Sequence, residues 1–464
     1  MEERFCIRLR EARRYRRLMR TRFPFRFGKA SVTEAPIVYV RLYLESEDGK
    51  IVEGVSASGI CPLWFDKRPG RAVVDKEADL LRSLSEAIEA YSAGGFGSAW
   101  DLHHATAAAV SRRLTDQGMT ALAAGFGPAI VDAGICDSVC RFLRQPFSAA
   151  LRHGLGLPAR DAALLPEKPL ELVHLRHTIG LADALCADDL KNPLRDGLPE
   201  TLEEVIETYR PVFFKIKISG DPTETIPRLH RIAEIFDARL ADYAVTLDGN
   251  EQFSDMVTFR LFLEQLRSER GMSAFVSRIL WIEQPVMREW ALDPTSASDL
   301  AAVARFKPVI IDESDDEPTA LNRALALGYS GVSSKLCKGV FRSIAHYLRL
   351  RQARAEGQRG LIISSEDLTT VPVHPLQQDL CLAAALGLTH SERNGHHYIR
   401  SFEFMTAAER ENALSRYSSL YEADGNGTAR VRIVNGGFNL ADVNSALSFG
   451  ADSFPEWSAL QPLE

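Results

Sequence analysis

Apolar positions along the chain repeat with two different periods, and the change between them falls near residue 165. Before that point, residues 37–45 alternate, with Val38, Val40, Leu42 and Leu44 on one face, and Asp48-Gly49 supplies a turn ahead of Ile51 and Val52. Alternation flanking such a turn predicts a β-hairpin. Helical spacing follows at about 76–91, 100–114 and 127–143, the last rich in small residues. Pro146 and the stretch 154–158 then close an α+β unit.

From about 170 to 400 short apolar runs alternate with longer amphipathic stretches, eight times over. The spacing predicts strands at 172–178, 212–219, 243–248, 278–283, 309–312, 331–335, 361–365 and 388–394, with helices between them such as 201–209, 222–240 and 340–355. Eight βα units in succession predict an α/β fold, a (β/α)8 TIM-type barrel rather than an open doubly wound sheet. No GxGxxG or GxxxxGK[ST] fingerprint follows any strand. The expected organisation is an α+β capping domain over 1–165, a catalytic barrel over 166–400, and a segment 401–464 that returns to the cap.

Strand residues alternate faces, so each predicted strand can be tested for what points inward. In 212–218, Phe214, Ile216 and Ile218 form the apolar outer face, which leaves Lys215 and Lys217 toward the barrel axis. The same test turns Thr246, Asp248 and Asn250 inward on the third strand and Trp281 and Glu283 on the fourth, where Leu280 and Ile282 face out. It turns Ile310 and Asp312 inward on the fifth and Ser333 and Lys335 on the sixth. Five consecutive strands thus carry an inward charge at the carboxyl end, where barrel active sites form.

Asp248, Glu283 and Asp312 stand on neighbouring strands and converge on one arc. At about 4 Å and an effective dielectric of about 20, each carboxylate pair costs roughly 4 kcal/mol, which a bound cation removes. An all-oxygen donor set selects a hard ion such as Mg²⁺, with Mn²⁺ as substitute. Neutralisation of the acids by neighbouring arginines is the rival reading. Lys217 and Lys335 lie four strands apart, across the mouth, and could exchange a proton with opposite faces of an α-carbon between them. Nearby positive charge, Lys215 included, is expected to lower their pKa toward the value a base needs. Structural salt bridges between lysines and acids are the alternative there.

Composition narrows the picture further. With 45% hydrophobic and 25% charged residues the chain is ordinary for a globular fold, and its net charge of −7 argues against a general nucleic-acid binder. No run of 18 apolar residues occurs, so no membrane span is expected. The arginines at 8, 10, 13, 14, 16, 17, 20 and 22 are interleaved with Glu2, Glu3 and Glu11 and read as a solvated strand face, not a signal, a transit peptide or a nucleic-acid arm. Seven scattered cysteines without a CxxC pair predict no disulfide framework and no zinc site, in a reducing, cytoplasmic setting. Cys136 and Cys140 share a helix face as small packing groups.

These residues carry a resemblance. Lys215-Ile216-Lys217 is similar to the Lys-x-Lys motif of the enolase superfamily, Asp248-Gly249-Asn250 to its Asp-x-Asn, Glu283-Gln284-Pro285 to its Glu-Gln-Pro, and Asp312-Glu313-Ser314 to its Asp-Glu-Ser. Ser334-Lys335-Leu336-Cys337-Lys338 resembles the sixth-strand lysine segment. The set is most similar to the muconate lactonizing enzyme subgroup of the mandelate racemase family. Residues 23–26 and 64–67 resemble the cap's two active-site loops, and 129–151, with Cys136-Asp137, the helix that ends the cap.

The resemblance implies Asp248, Glu283 and Asp312 as Mg²⁺ ligands, Lys217 and Lys335 as the acid/base pair, and Lys215 as an aid to the substrate carboxylate. It implies substrate contacts from Arg26, Trp64, Asn250, Lys338, Glu366, Asp367 and Asn394. Three departures bear on the substrate. Ser391-Glu392-Arg393-Asn394-Gly395 replaces the Asp-x-Asp of dipeptide epimerases, Gly339-Val340 replaces Gly-Gly, and the seventh strand ends in the acidic Glu366-Asp367. His396 and His397 are expected in a solvated turn, and 186–198 and 267–277 as lengthened connections.

The expected activity is abstraction of the α-proton of a small-molecule carboxylate to give a metal-stabilised enediolate, in a racemase or epimerase. Syn β-elimination, as in a dehydratase or o-succinylbenzoate synthase, and cycloisomerisation are the alternatives within the class. A non-catalytic metal-binding barrel is the alternative outside it. The expected partners are the carboxylate substrate and a second copy of the chain in a homo-oligomer, with no nucleic acid and no membrane.

Overall fold

The computed structural model describes residues 5–28, 30–368, 370–400, 402–425 and 428–463; Glu2 and Glu3 of the arginine-rich run lie outside them. The predicted hairpin is present as β2 (Ala30–Ser46) and β3 (Ile51–Gly59), and β1 (Ile7–Phe27) pairs antiparallel with β2. The arginines of β1 are tied to the fold. Arg8 and Arg10 pair with Glu45, Arg17 with the buried Glu409, and Arg22 with Asp196.

Helices α1 (Val73–Ser92) and α3 (Ala121–Leu143) pack on the cap sheet, and α2 (Ala99–Asp116) packs on both of them. By length and composition α3 could cross a membrane, but 94% of its apolar window is buried within this fold. Its small residues allow close approach. A Cβ on Gly127 would lie 2.1 Å from the Ser83 carbonyl oxygen. Cys136 and Cys140 are fully buried on α3, as their spacing predicts.

Asp137, also on α3, ties three segments together. Its Oδ2 accepts from the Val55 amide at 2.9 Å and from Arg141 Nε at 2.7 Å, and its Oδ1 from the Phe449 amide at 2.9 Å. Removing a carboxylate bonded in this way strands a buried cation and two amides. Asp137→Ala is expected to lower stability by about 3 kcal/mol, read as a lower urea midpoint at unchanged slope.

Eight parallel strands follow: β4 (Leu172–Ile179), β5 (Phe213–Lys217), β6 (Ala244–Asp248), β7 (Ile279–Glu283), β8 (Val309–Ile311), β9 (Gly331–Ser334), β10 (Ile362–Ser365) and β11 (His390–Arg393). They pair in sequence order, and β11 pairs with β4 to close the barrel. Each predicted strand is found, and the helices Leu202–Tyr209, Pro222–Arg239 and Val340–Ala355 match their predicted spans within a residue. Thr201 starts the first of these with a capping box to Glu204.

Phe214, Ile216, Val245, Leu247, Ile282, Val309, Ile311 and Val332 form the helix-facing shell, as alternation requires. One outward assignment is corrected. A register shift opposite Val245 and Thr246 leaves Leu280 unpaired and half-buried, and Ile279 takes its place in the shell. A second apolar core runs without a break from the cap helices into the helices Val340–Ala355 and His374–Ala385. The C-terminal residues touch both units: β12 (Gly437–Asn439) pairs with β4, and β13 (Gln461–Leu463) pairs with β1.

Candidate active site

The barrel interior is built from the alternate residues of all eight strands, and at the carboxyl end they are charged. Parallel register sets Lys217 beside Asp248 and Asp248 beside Glu283. The turns after these strands fix the acids. Asn250 sits at φ +40°, where its amide donates to Asp248 Oδ1 at 2.8 Å and its Nδ2 to Glu313 Oε1 at 3.2 Å. Gln284, at φ +32°, accepts from the amides of Asp312 and Ser314 and so locks the end of β8 to β7.

Lys215 is fully buried beneath the mouth, with its Nζ 2.7–2.9 Å from oxygens of Asp248, Glu283, Glu366 and Glu392. This corrects the expectation that it meets the substrate: it is a pillar shared by four acids. Lys335 Nζ lies 2.5 Å from Asp312 Oδ2 and 3.1 Å from Glu366 Oε2, and 5.2 Å over the Trp64 ring. Lys217 Nζ lies 2.6 Å from Asp248 Oδ2.

The expected lowering of lysine pKa is not what this arrangement gives. Burial pulls the Lys215 ammonium down, but its four carboxylates outweigh burial and hold it well above the ordinary value. For Lys335 burial is likewise outweighed, here by Asp312 and Glu366. Acids hemmed by acids respond in the opposite sense. Burial, Asp248 and Glu366 together push the Glu283 carboxyl well above its usual range.

That crowding is the test of whether a cation fits. One oxygen from each of Glu283, Asp312 and Glu366 lies within 4.8 Å of the others, and all three residues are buried, with Lys215 Nζ 2.8 Å from Glu283 Oε2. An all-oxygen donor set suits a hard divalent ion. The tight triad thus differs from the predicted one: Glu366 joins Glu283 and Asp312, while Asp248 is drawn toward Lys217 and Lys215. The sequence reading treated Glu366 only as a substrate contact, although its inward place two residues beyond Ser364 follows from the same alternation.

Above the charges lies a narrow cavity of about 40 Å³ whose lining includes Lys217, Asn250, Lys335, Asp367, Glu392 and Asn394. Met19, Thr21, Phe25, Val32, Cys61, Trp64 and Leu368 complete its walls. Trp64, Asn250, Asp367 and Asn394, predicted substrate contacts, all line this cavity. Burial, partly opposed by Arg393, pushes the Asp367 carboxyl up to about 6.

Arg26 does not line the cavity. Phe25 packs against Tyr398 at 4.3 Å, so alternation turns Arg26 to solvent. Lys338 is also displaced, buried below and bonded to Ser333 Oγ at 3.0 Å and Asp315 Oδ2 at 3.0 Å. His396 and His397 are buried, not solvated: His396 lies 3.1 Å from His177, and burial pushes both well below the ordinary imidazole value.

The hairpin roof is fastened by Arg22, a residue that carried no signal of its own among eight arginines. Its guanidinium donates to both oxygens of Asp196, to the carbonyls of Leu198 and Pro199, and to that of His397, at 2.6–3.1 Å. The lengthened connection near 186–198 is thus one half of a clasp.

No family model matches the chain, and no curated protein matches it. Solved structures do. An enolase from Bradyrhizobium, complexed with magnesium and mandelic acid, is 14% identical over 100% of both chains, with a TM-score of 0.63. A dipeptide epimerase from Enterococcus faecalis, complexed with Mg and the dipeptide L-Leu-L-Tyr, is 14% identical over 93% of this chain and 99% of its own, with a TM-score of 0.58. A muconate lactonizing enzyme from Pseudomonas fluorescens, complexed with muconolactone, is 16% identical over 82% and 87%, with a TM-score of 0.54. The chain shares the capped-barrel fold of these enzymes.

Proposed function

We propose that this chain is an enzyme of the enolase superfamily, near the muconate lactonizing enzyme subgroup, that moves the α-proton of a carboxylate as a racemase or epimerase. One observation carries the reading. Lys217 and Lys335, on strands four apart in the barrel, line the same cavity. A planar α-carbon between them would present one face to each amine, and a proton taken by one lysine can be returned by the other at the opposite face. Glu283, Asp312 and Glu366 would hold Mg²⁺, with Asp248 alongside. When bound, the ion supplies positive charge beside the substrate carboxylate, which lowers the cost of the enediolate.

The walls favour racemisation over chemistry on a dicarboxylate. Among the described residues the lining carries no cation besides the two lysines, and Met19, Phe25 and Val32 make the roof largely apolar. A second carboxylate would therefore find no partner, whereas an apolar side group would be buried. Trp64 covers Lys335 and excludes water from it. At about 40 Å³ the cavity admits no substrate until the roof lifts.

The reading is tested with a panel of α-substituted carboxylates bearing apolar side groups, in D₂O with Mg²⁺, by following α-deuteration with NMR. Exchange is expected for at least one member, and removal of the divalent ion with EDTA is expected to abolish it. Undiminished exchange in a Lys217→Ala/Lys335→Ala double variant would sink the assignment.

A further inference from the structure

At the opposite mouth of the barrel the wall is split. β9 and β10 pair along four residues, but β10 and β11 meet only at Ser365 and Ser391. Where that pairing is lost, between the starts of β10 and β11, lies a cleft of about 420 Å³. This is the size of small-molecule sites. Tyr347, Arg351 and Arg354 of the helix Val340–Ala355 form part of its wall, and Trp281 and His390, from inside the barrel, also line it.

Three observations point to a ligand. No carboxylate lines the cleft, yet two guanidinium groups do. Arg354 donates to the Leu361 carbonyl, while the exposed Arg351 guanidinium forms no ion pair among the described residues. Second, the indole Nε1 of Trp281 is buried and has no hydrogen-bond partner, although the residue is only 7% exposed. An unpaired buried donor of this kind needs an explanation. Third, the aromatic rings at the cleft are held rigidly by one another. His390 stacks on Phe213 at 4.2 Å and 7°, and on its own account lies 5.5 Å from Trp281 at 23°.

We propose that this cleft is a second binding site, which takes a small planar carboxylate whose oxygens meet the guanidinium groups of Arg351 and Arg354 and the indole N–H of Trp281. Guanidinium groups pair with carboxylates through parallel N–H donors. The site is separate from the proton-transfer cavity. Arg176 stands between them, bonded to His390 at 2.9 Å on one side and to Glu366 Oε1 at 3.0 Å on the other.

Benzoate is the probe, titrated into the full chain while indole N–H signals are followed by NMR; the Trp281 signal is identified by its absence from W281F. Saturable binding that shifts this signal is expected, and it should persist in Lys217→Ala/Lys335→Ala, which removes the amines of the other cavity. R351A/R354A, changed only at exposed positions, is expected to weaken binding by about tenfold or more. Benzamide, of the same shape without the charge, is expected not to compete. The proposal is overturned if benzoate fails to saturate, if binding disappears with the two lysines but survives loss of the two arginines, or if benzamide binds as well. Failure here leaves the proton-transfer reading untouched, because that reading uses none of these residues.

Discussion

Lys335→Ala is expected to slow interconversion of the two α-configurations by about 10³-fold, while α-proton exchange from one enantiomer persists. The asymmetry follows from geometry. Each lysine reaches one face of the α-carbon, so loss of one blocks exchange of the enantiomer whose hydrogen points to it and spares the other. Lys217→Ala should give the mirror-image result. The measurement is loss of the α-¹H signal in D₂O, run separately on each pure enantiomer. If both enantiomers still exchange at the unmodified rate in either variant, that lysine is not a base. If instead one variant stops exchange of both and the other merely weakens it, the second lysine is a cationic support, and elimination or cycloisomerisation becomes the better reading.

The second large effect is on stability. Glu366 accepts from Arg176 and Ser364 through Oε1, and from Lys215 and Lys335 through Oε2. Glu366→Leu would leave three buried cations short of a counter-charge, at a cost of about 3–5 kcal/mol; Glu366→Gln, which keeps the shape, should cost less. Urea unfolding across a pH series gives the sign. Burial works against ionisation of Glu366, but Lys215, Lys335 and Arg176 outweigh it and hold its carboxyl well below the usual range. A depressed folded value means that the contribution is fully present above the unfolded glutamate value, about 4.3, and is lost as pH falls through the folded value. The gap between Glu366→Leu and the unmodified protein should therefore be constant from about pH 5 to neutrality and close in acid. A gap that widens in acid would contradict this charge assignment.

Much of this was legible in the chain because strands obey a strict two-residue period. Lys215-Ile216-Lys217 declares which face is core, and that face is the one observed. The same rule reaches Glu366 through Ser364, but the resemblance assigns metal ligands only on the third to fifth strands. Proton affinity was less legible. The sequence shows that Lys215 and Lys335 have cationic neighbours, but only the folded distances reveal that carboxylates lie closer and dominate. Arg26 and Lys338 failed for a local reason. Each was placed by its motif neighbour, and a side chain one or three residues from such a neighbour need not share its direction. His396 and His397 were misplaced because a polar pair after a strand looks like a turn, whereas the long roof strand buries it: the Phe23 ring packs 5.0 Å from that of His397.

Arg22 fastens the roof at one point through one side chain. Its five hydrogen bonds run to one loop and to the His397 carbonyl, so a partial lift would strand the guanidinium between acceptors without satisfying it. Any lift of the roof at this end must break these bonds together. Turnover can be limited by this clasp even when the chemistry beneath it is fast.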